Sequence, residues 1–446
     1  MLLLSEVLSA TPATASTFDG TRAPEHVATL WKGAGFARRI FATTAAAAAT
    51  ATPYIVKVIN GAAALSQVHV DSYRVEQCFY AQGISGRCVE AGAAVPACHV
   101  CGEVPMGEGG AAAGGGAETN KRKATKKKKK KKKKKASTKS TNMTGEAAGA
   151  DGNGASPCCP ALGRNPRFYA VLTDLSVAYP VIAEDLAPAQ AAAALAWMAR
   201  FHGHFTGALG KLSTSPGRAM QSKVLRGLWW CGTHWTLERT RHMLGAMERT
   251  YEKEYRARVA KEHAGLPPGV AALGKRLHAA AEALHARLQP QHPKNQMHWY
   301  TLLHGDLKGA NIALGCESEA GEGEGAAWRA AAFDFQWTGG GLGAQDVVYF
   351  FISAGDPMSL AREEELLRQY YHERKIKTRG SPRNMTWKEF VEVYEIAFLD
   401  MMRWLCAYGL WGGPAERWAL EKADTLLARV DGGKRVDPSV YASAWA

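Results

Sequence analysis

In "LLHGDLKGANIAL" (302–314) two apolar runs enclose a polar loop that carries an acid, Asp306, and an amide, Asn311, five positions later. A second apolar run, within "AAFDFQW" (331–337), leads into Asp334. If the strands preceding these polar stretches pair as a hairpin, Asp306, Asn311 and Asp334 converge at one end. Oxygen donors such as Asn311 and Asp334 suit Mg²⁺, which takes a few carboxylate or amide oxygens and completes its shell with water and phosphate. Asp306 is then left to accept a proton from an attacking hydroxyl. Taken alone, residues 304–311 read equally well as a simple turn, because Gly, Asp and Asn are ordinary turn residues.

The elements that must position these side chains follow from periodicity. "TPYIVKVIN" (52–60) alternates Tyr54, Val56 and Val58 against Ile55, Lys57 and Ile59 and reads as a strand. "SYRVEQCFYAQ" (72–82) reads as a short amphipathic helix, and "AAVPACHV" (93–100) and "RFYAVLTDLS" (167–176) as strands. From about residue 187 helix dominates: Leu195, Met198, His202 and Phe205 recur at helical spacing, as do Val391, Tyr394, Phe398, Met401 and Leu405. A strand-rich first part and a helical second part predict an α+β protein of two lobes. Three segments are not expected to pack: "TTAAAAATATP" (43–53), the Gly/Ala- and lysine-rich insertion 103–165, and the acidic "ESEAGEGEG" (317–325).

A chain of 446 residues, 46% hydrophobic, can bury a sizeable core. Its net charge of +14 sits in one place: Lys121–Lys139 holds 14 of the 55 Lys and Arg, and the remaining 41 equal the 41 Asp and Glu. That argues against a folded basic surface tracking phosphates. The tract itself suits an acidic partner such as nucleic acid, a nuclear address or a neutral expansion in a tolerant loop. Nine irregularly spaced cysteines predict free thiols in a reducing compartment. "CHVC" (98–101) and "PCCP" (157–160) could supply four thiols to Zn²⁺, but adjacent Cys158 and Cys159 are awkward for one ion, and unligated thiols are favoured. The first residues lack a basic start and place Glu6 after three leucines, so no secretory leader is expected, and no apolar run reaches the ~18 residues of a membrane span. A cytoplasmic location is expected, or a nuclear one if the lysine tract is an address.

His-Gly-Asp, four residues, Asn, then a strand ending in Asp resembles the aminoglycoside phosphotransferase and choline kinase group, of protein-kinase-like fold. With Gln336 after Asp334-Phe335 it looks most like the ecdysteroid-kinase-like (CHK-kinase-like) branch. Further matches occur in the family's order over roughly residues 25 to 410. They are Lys57 in "YIVKV", Glu76, Phe79 and Tyr80 in "VEQCFY", the hinge-like "VLTDLS", "LAWMARFHGHF", and "QDVVYFF" with Asp346.

This resemblance implies an ATP-dependent enzyme moving the γ-phosphate of MgATP to a hydroxyl of a small molecule. Lys57 would hold the α/β-phosphates and Glu76 would fix its direction. Asn311 and Asp334 would bind Mg²⁺, and Asp306 would deprotonate the acceptor. His304 would brace the loop and Lys308 would reach the transferred phosphate. Adenine would lie against the hinge at Thr173, Asp174 and Leu175. Gly33 and Gly35 in "KGAGF" are a weak match to the phosphate loop. The implied organisation is an extension 1–24, an ATP-binding lobe 25–175 and a helical lobe 176–446.

The acceptor, whether steroid-, choline-, sugar- or aminoglycoside-like, is expected near "LWWCGTHWTLER" (228–239), whose tryptophans read mostly as core. His202 and His204 are expected to make packing and capping contacts, and His278 and His285 are taken as surface or core residues. The alternatives are an inactive nucleotide-binding scaffold, a nucleic-acid-associated protein acting through the lysine tract, and, less favoured, a protein kinase. Against the protein kinase stand Gly305, where many have Arg, and the 11 residues between Asp334 and Asp346, too few for a peptide-binding segment.

Overall fold

The structure is a computed structural model. It describes residues 16–18, 23–30, 35–44, 52–60, 67–104, 167–206, 226–295, 299–316, 327–377, 385–433 and 436–446. The lysine tract, the acidic 317–325 loop, Gly33, Cys158 and Cys159 lie outside these residues.

The first lobe is one antiparallel sheet of β1 (Ser16–Phe18), β2 (Glu25–Thr29), β3 (Gly35–Thr44), β4 (Thr52–Asn60), β5 (Cys98–Val104) and β6 (Arg167–Thr173). Its order is β1-β3-β4-β6-β5, with β2 also on β3. Part of the 1–24 extension therefore belongs to the sheet: Ser16 pairs with Thr44. The ends of the Ala/Thr run do too, since Ala42 pairs with Thr52 and Phe41 with Pro53.

Alternation in β4 sorts its two faces as the period of a pleated strand requires. Val56 and Val58 are buried with Ile40 and Val171 on one face. Ile55, Lys57 and Ile59 look the other way, toward the helix Gln67–Ala81. That helix begins five residues before the predicted one.

The strand expected at 93–100 instead begins at Cys98 and runs to Val104, inside the expected insertion. Glu103 is held there by Arg74 at 3.1 Å. A bulge between Cys98 and Val100 sets Cys98 opposite Leu172 and Cys101 opposite Ala170. The extra residue brings both thiols to one face despite their odd spacing. Residues 93–97 are extended coil instead, where Ala94 bridges Ala331 of the second lobe and its carbonyl accepts from Trp197 Nε1 at 2.8 Å.

The second lobe is mainly helical, with long helices at Pro188–Phe205, Leu273–Leu288, Ala344–Ala354, Glu363–Lys377, Trp387–Tyr408 and Glu416–Asp431. Helix Trp387–Tyr408 starts in a capping box: Thr386 Oγ1 accepts from the Glu389 N–H and Glu389 Oε2 accepts from the Thr386 N–H. Of its predicted stripe, Tyr394, Phe398, Met401 and Leu405 are buried and Val391 is half-buried against the core.

Two small sheets carry the loops of interest. β7 (Trp229–Cys231), β8 (Tyr300–Leu303) and β11 (Gly339–Leu342) form one, and β9 (Ile312–Cys316) and β10 (Trp328–Ala332) the other. The expected hairpin is thus partly wrong. β10 pairs with the strand after the Asp306 loop, not with the one before it, which pairs with β11. Asp306 lies between two sheets, and the end of β10 is carried to it through β9.

Candidate active site

Lys57, Glu76 and Asp334 come from a strand, a helix and a loop, and meet. Lys57 Nζ donates to Glu76 Oε2 at 2.7 Å and to Asp334 Oδ1 at 2.6 Å. Burial works against the Lys57 charge, but the two carboxylates prevail and its pKa lies above the ordinary lysine value. Burial likewise works against the Asp334 charge, but Lys57 prevails and holds that carboxyl below its usual range. At Glu76 burial wins and the pKa is raised. One ammonium between two acids thus keeps Asp334 the more firmly ionised.

Asp334 is one of two non-glycine residues with positive φ among the described residues, at 70°, a left-handed conformation that L-residues adopt at a cost. Its loop is fixed on both sides. Phe335 stacks on Phe79, from the helix that supplies Glu76, with ring centroids 3.9 Å apart and planes 7° apart. Gln336 Nε2 donates to Asp334 Oδ2 at 3.2 Å. The Glu-x-x-Phe spacing therefore aims Glu76 at Lys57 while Phe79 anchors the Asp334 segment.

Asp306 is buried, and its carboxylate receives three side-chain donors. Tyr349 Oη donates to Oδ1 at 2.7 Å, and Lys308 Nζ and Asn311 Nδ2 donate to Oδ2 at 3.0 and 3.2 Å. Asn311 Nδ2 also donates to the Asp306 carbonyl at 2.7 Å, which leaves Asn311 Oδ1 as the atom suited to a cation. Lys308 is caught between burial, which lowers its pKa, and Asp306, which prevails and raises it.

His304 is fully buried. Its Nε2–H donates to the Phe333 carbonyl at 3.0 Å, and Nδ1 accepts from the Asp306 N–H at 3.3 Å. Burial lowers its pKa, so the neutral ring spans both loops. Beneath it, Asp346 accepts from the N–H groups of His304 and Gly305 at 2.7 and 3.0 Å, and meets His202 Nε2 at 3.1 Å. His202 is therefore a strut under the loop rather than a general packing residue.

Gly305 has φ +85°, and a Cβ there would press on the Trp337 carbonyl and lie 2.8 Å from the Thr233 nitrogen. No arginine fits at this position. The geometry supplies the reason for the glycine.

The remaining candidates are less tightly drawn in. Gly35 opens β3 opposite Ile59. Thr173 ends β6, and its N–H donates to the Ala97 carbonyl at 2.9 Å. The Asp174 carboxylate pairs with Arg39 and accepts from the Ser176 N–H, so its side chain is already committed. Leu175 starts a short 3₁₀ turn.

Of the expected acceptor segment, Trp229 and Trp235 are core, whereas His234 packs on Trp337, Tyr349 and Trp404 at centroid distances of 5.5, 5.5 and 5.0 Å. Burial lowers its pKa to about 4. Periodicity did not single out Tyr349, nor the facing wall of Trp404, Tyr408 and Trp411. Trp404 stacks on Tyr408 at 4.8 Å, and Trp411 meets Tyr349 edge-on at 5.7 Å. The three-residue spacing of Tyr349 from Asp346 was the available signal.

His278 pairs with Glu248 and His285 with Gln289, as ordinary side chains of one helix. His204 is half-buried at the end of its helix. Cys98 and Cys101 are free thiols. Cys78 departs from the expectation of free thiols throughout, being disulfide-bonded. No helix among the described residues is long and apolar enough to cross a membrane.

A model of the ecdysteroid kinase-like family matches residues 136–379. No curated protein sequence matches the chain. Among solved structures, similar folds include an amicoumacin kinase, hAmiN, in complex with AMP-PNP, Ca²⁺ and Ami (11% identity, TM-score 0.40, covering 98% of this chain and 94% of that one). Another is a choline/ethanolamine kinase family protein from Mesorhizobium loti (13%, 0.36, 100% and 99%). A third is the macrolide 2′-phosphotransferase MphH from Brachybacterium faecium (14%, 0.35, 95% and 98%).

Proposed function

Since the chain belongs to the ecdysteroid kinase-like family, we propose that it transfers the γ-phosphate of MgATP to a hydroxyl of a small molecule. The observation that carries this reading is the Lys57 bridge to Glu76 and Asp334, whose loop His304 ties to the Asp306 loop. Phosphoryl transfer asks mainly for positioning and charge neutralisation, and this set of groups meets both demands.

The contacts support the roles that the family resemblance implies. Lys57, oriented by Glu76, takes the α/β-phosphates and exchanges Asp334 for them. Asn311 Oδ1 and Asp334 would hold Mg²⁺, since Asn311 Nδ2 is already committed to Asp306 and Asp334 is held ionised. Bound there, the ion would neutralise phosphate charge. Asp306 accepts the acceptor's proton, Lys308 moves from Asp306 to the transferred phosphate, and His304 keeps the loop in register. The adenine lies along the backbone at Asp174 and Leu175, next to Thr173. The nucleotide lobe is placed at 25–175 and the acceptor lobe at 176–446.

The acceptor enters beside Asp306 over the aromatic wall of Trp404, Tyr408 and Trp411, whose inner side is closed by His234 packed on Trp404. Of these, Tyr408 and Trp411 are exposed, so an apolar face of the substrate gains most there.

The test is to incubate the purified chain with MgATP and a metabolite extract and search by mass spectrometry for new phosphate esters. Products formed by the wild type and absent with Asp306→Asn are expected. Equal products from both proteins, or none from either, would sink the reading.

A further inference from the structure

Tyr349 is buried, and its hydroxyl donates to Asp306 Oδ1 at 2.7 Å. It stands one helical turn after Asp346, on the same face of helix Ala344–Ala354. Asp346 holds the backbone of His304 and Gly305, so one helix face grips both the catalytic loop and the carboxylate that the loop presents. The phenol ring has little freedom, with His234 edge-on at 5.5 Å and Trp411 edge-on at 5.7 Å.

The three donors to Asp306 differ in how readily they leave. Tyr349 is 3% exposed, whereas the Lys308 side chain is 41% exposed. Asn311 is tied to the Asp306 backbone as well.

We propose that Tyr349 is a positioning residue for phosphoryl transfer: its hydroxyl pins Asp306 Oδ1 and reserves Oδ2, vacated by Lys308, for the acceptor hydroxyl. This rests on the reading of Asp306 as proton acceptor. In the step, the acceptor O–H proton passes to Oδ2, the acceptor oxygen bonds to the γ-phosphorus, and the bond from that phosphorus to the ADP oxygen breaks. A carboxylate held in one orientation needs no reorganisation when the hydroxyl arrives. Burial and the adjacent carboxylate push the phenol well above its ordinary value, so it stays a donor.

The experiment compares the full-length wild type, Tyr349→Phe and Asp306→Asn. It follows ADP release from MgATP with water as the acceptor, and determines crystal structures of the three proteins. Tyr349→Phe is expected to lower kcat about tenfold with KM for MgATP unchanged, and to leave the Asp306 carboxylate in more than one orientation. A wild-type kcat, or one unchanged carboxylate orientation, overturns the inference. Turnover by Asp306→Asn equal to the wild type overturns the catalytic reading instead, and the crystal readout still decides whether Tyr349 pins the carboxylate. Should Tyr349→Phe not fold, 3-fluorotyrosine at 349 keeps the ring and hydroxyl while changing donor strength. An altered kcat at unchanged KM then upholds the inference, and a wild-type kcat overturns it.

Discussion

The two halves of the candidate site are built on opposite plans. Lys57, Glu76 and Asp334 form a long-range charge bridge, the partners lying 19 and 277 positions along the chain from the lysine. The Asp306 loop is local: Asp306, Lys308 and Asn311 satisfy one another within six residues, and the lobe braces them from below through Asp346 and Tyr349. The bridge joins the lobes, and under the proposed function it exchanges partners when phosphates arrive. In that reading Asp306 must keep its place even as Lys308 leaves it, because a base that drifts loses its alignment.

The sharpest way to break this contrast is to remove one charged group from each half. Asp306→Asn should cost roughly 100- to 10,000-fold in turnover with KM for MgATP and melting temperature little changed. Lys57→Met should instead raise KM for MgATP as well as lower kcat, in the same steady-state assay. If the two variants fail in the same way, the halves are not distinct.

Next is the brace. Asp346→Asn removes a buried carboxylate from two backbone N–H groups and His202, and is expected to cost about 2 kcal/mol of stability. Urea unfolding measures this, and an unchanged midpoint would show that the loop holds itself.

The third test uses acid. His202, His234 and His304 all have pKa values below the ordinary 6.5, with burial as the leading cause, and His234 lies at about 4. The unfolded chain then binds protons that the folded one does not, so stability present above pH 6.5 falls as pH drops toward 4. Melting temperature should decline over that window, and His234→Phe should flatten the decline. The smallest effect is expected at the joint between the halves. Phe79→Leu forfeits the stack on Phe335, about 1 kcal/mol, seen as a modest shift of the urea midpoint.

Much of the site was legible because its chemistry is written in residue type and spacing. Asp306 and Asn311 are five apart on a polar loop, and β4 alternates so that Lys57 takes the opposite face from Val56 and Val58. The partner of the β8 strand was not legible, since "TLL" pairs as well with one short apolar run as another. Pairing with "GGGL" is favoured by glycines at 339 and 341, where a Cβ would meet Trp229, Gln345 and Leu303. The start of β5 was also missed, because a bulge shifts the side-chain alternation on which the reading depends.

The two lobes, the charge confined to one tract, and the identity of the acids and the lysine were readable from residue type and period. Periodicity and residue chemistry are local properties, and those suffice for them. That Tyr349 meets Asp306, that His202 supports Asp346, and that Gly305 admits no side chain emerged from the packed fold alone. Each of these depends on the distance between elements far apart in the chain, which packing sets and spacing does not encode.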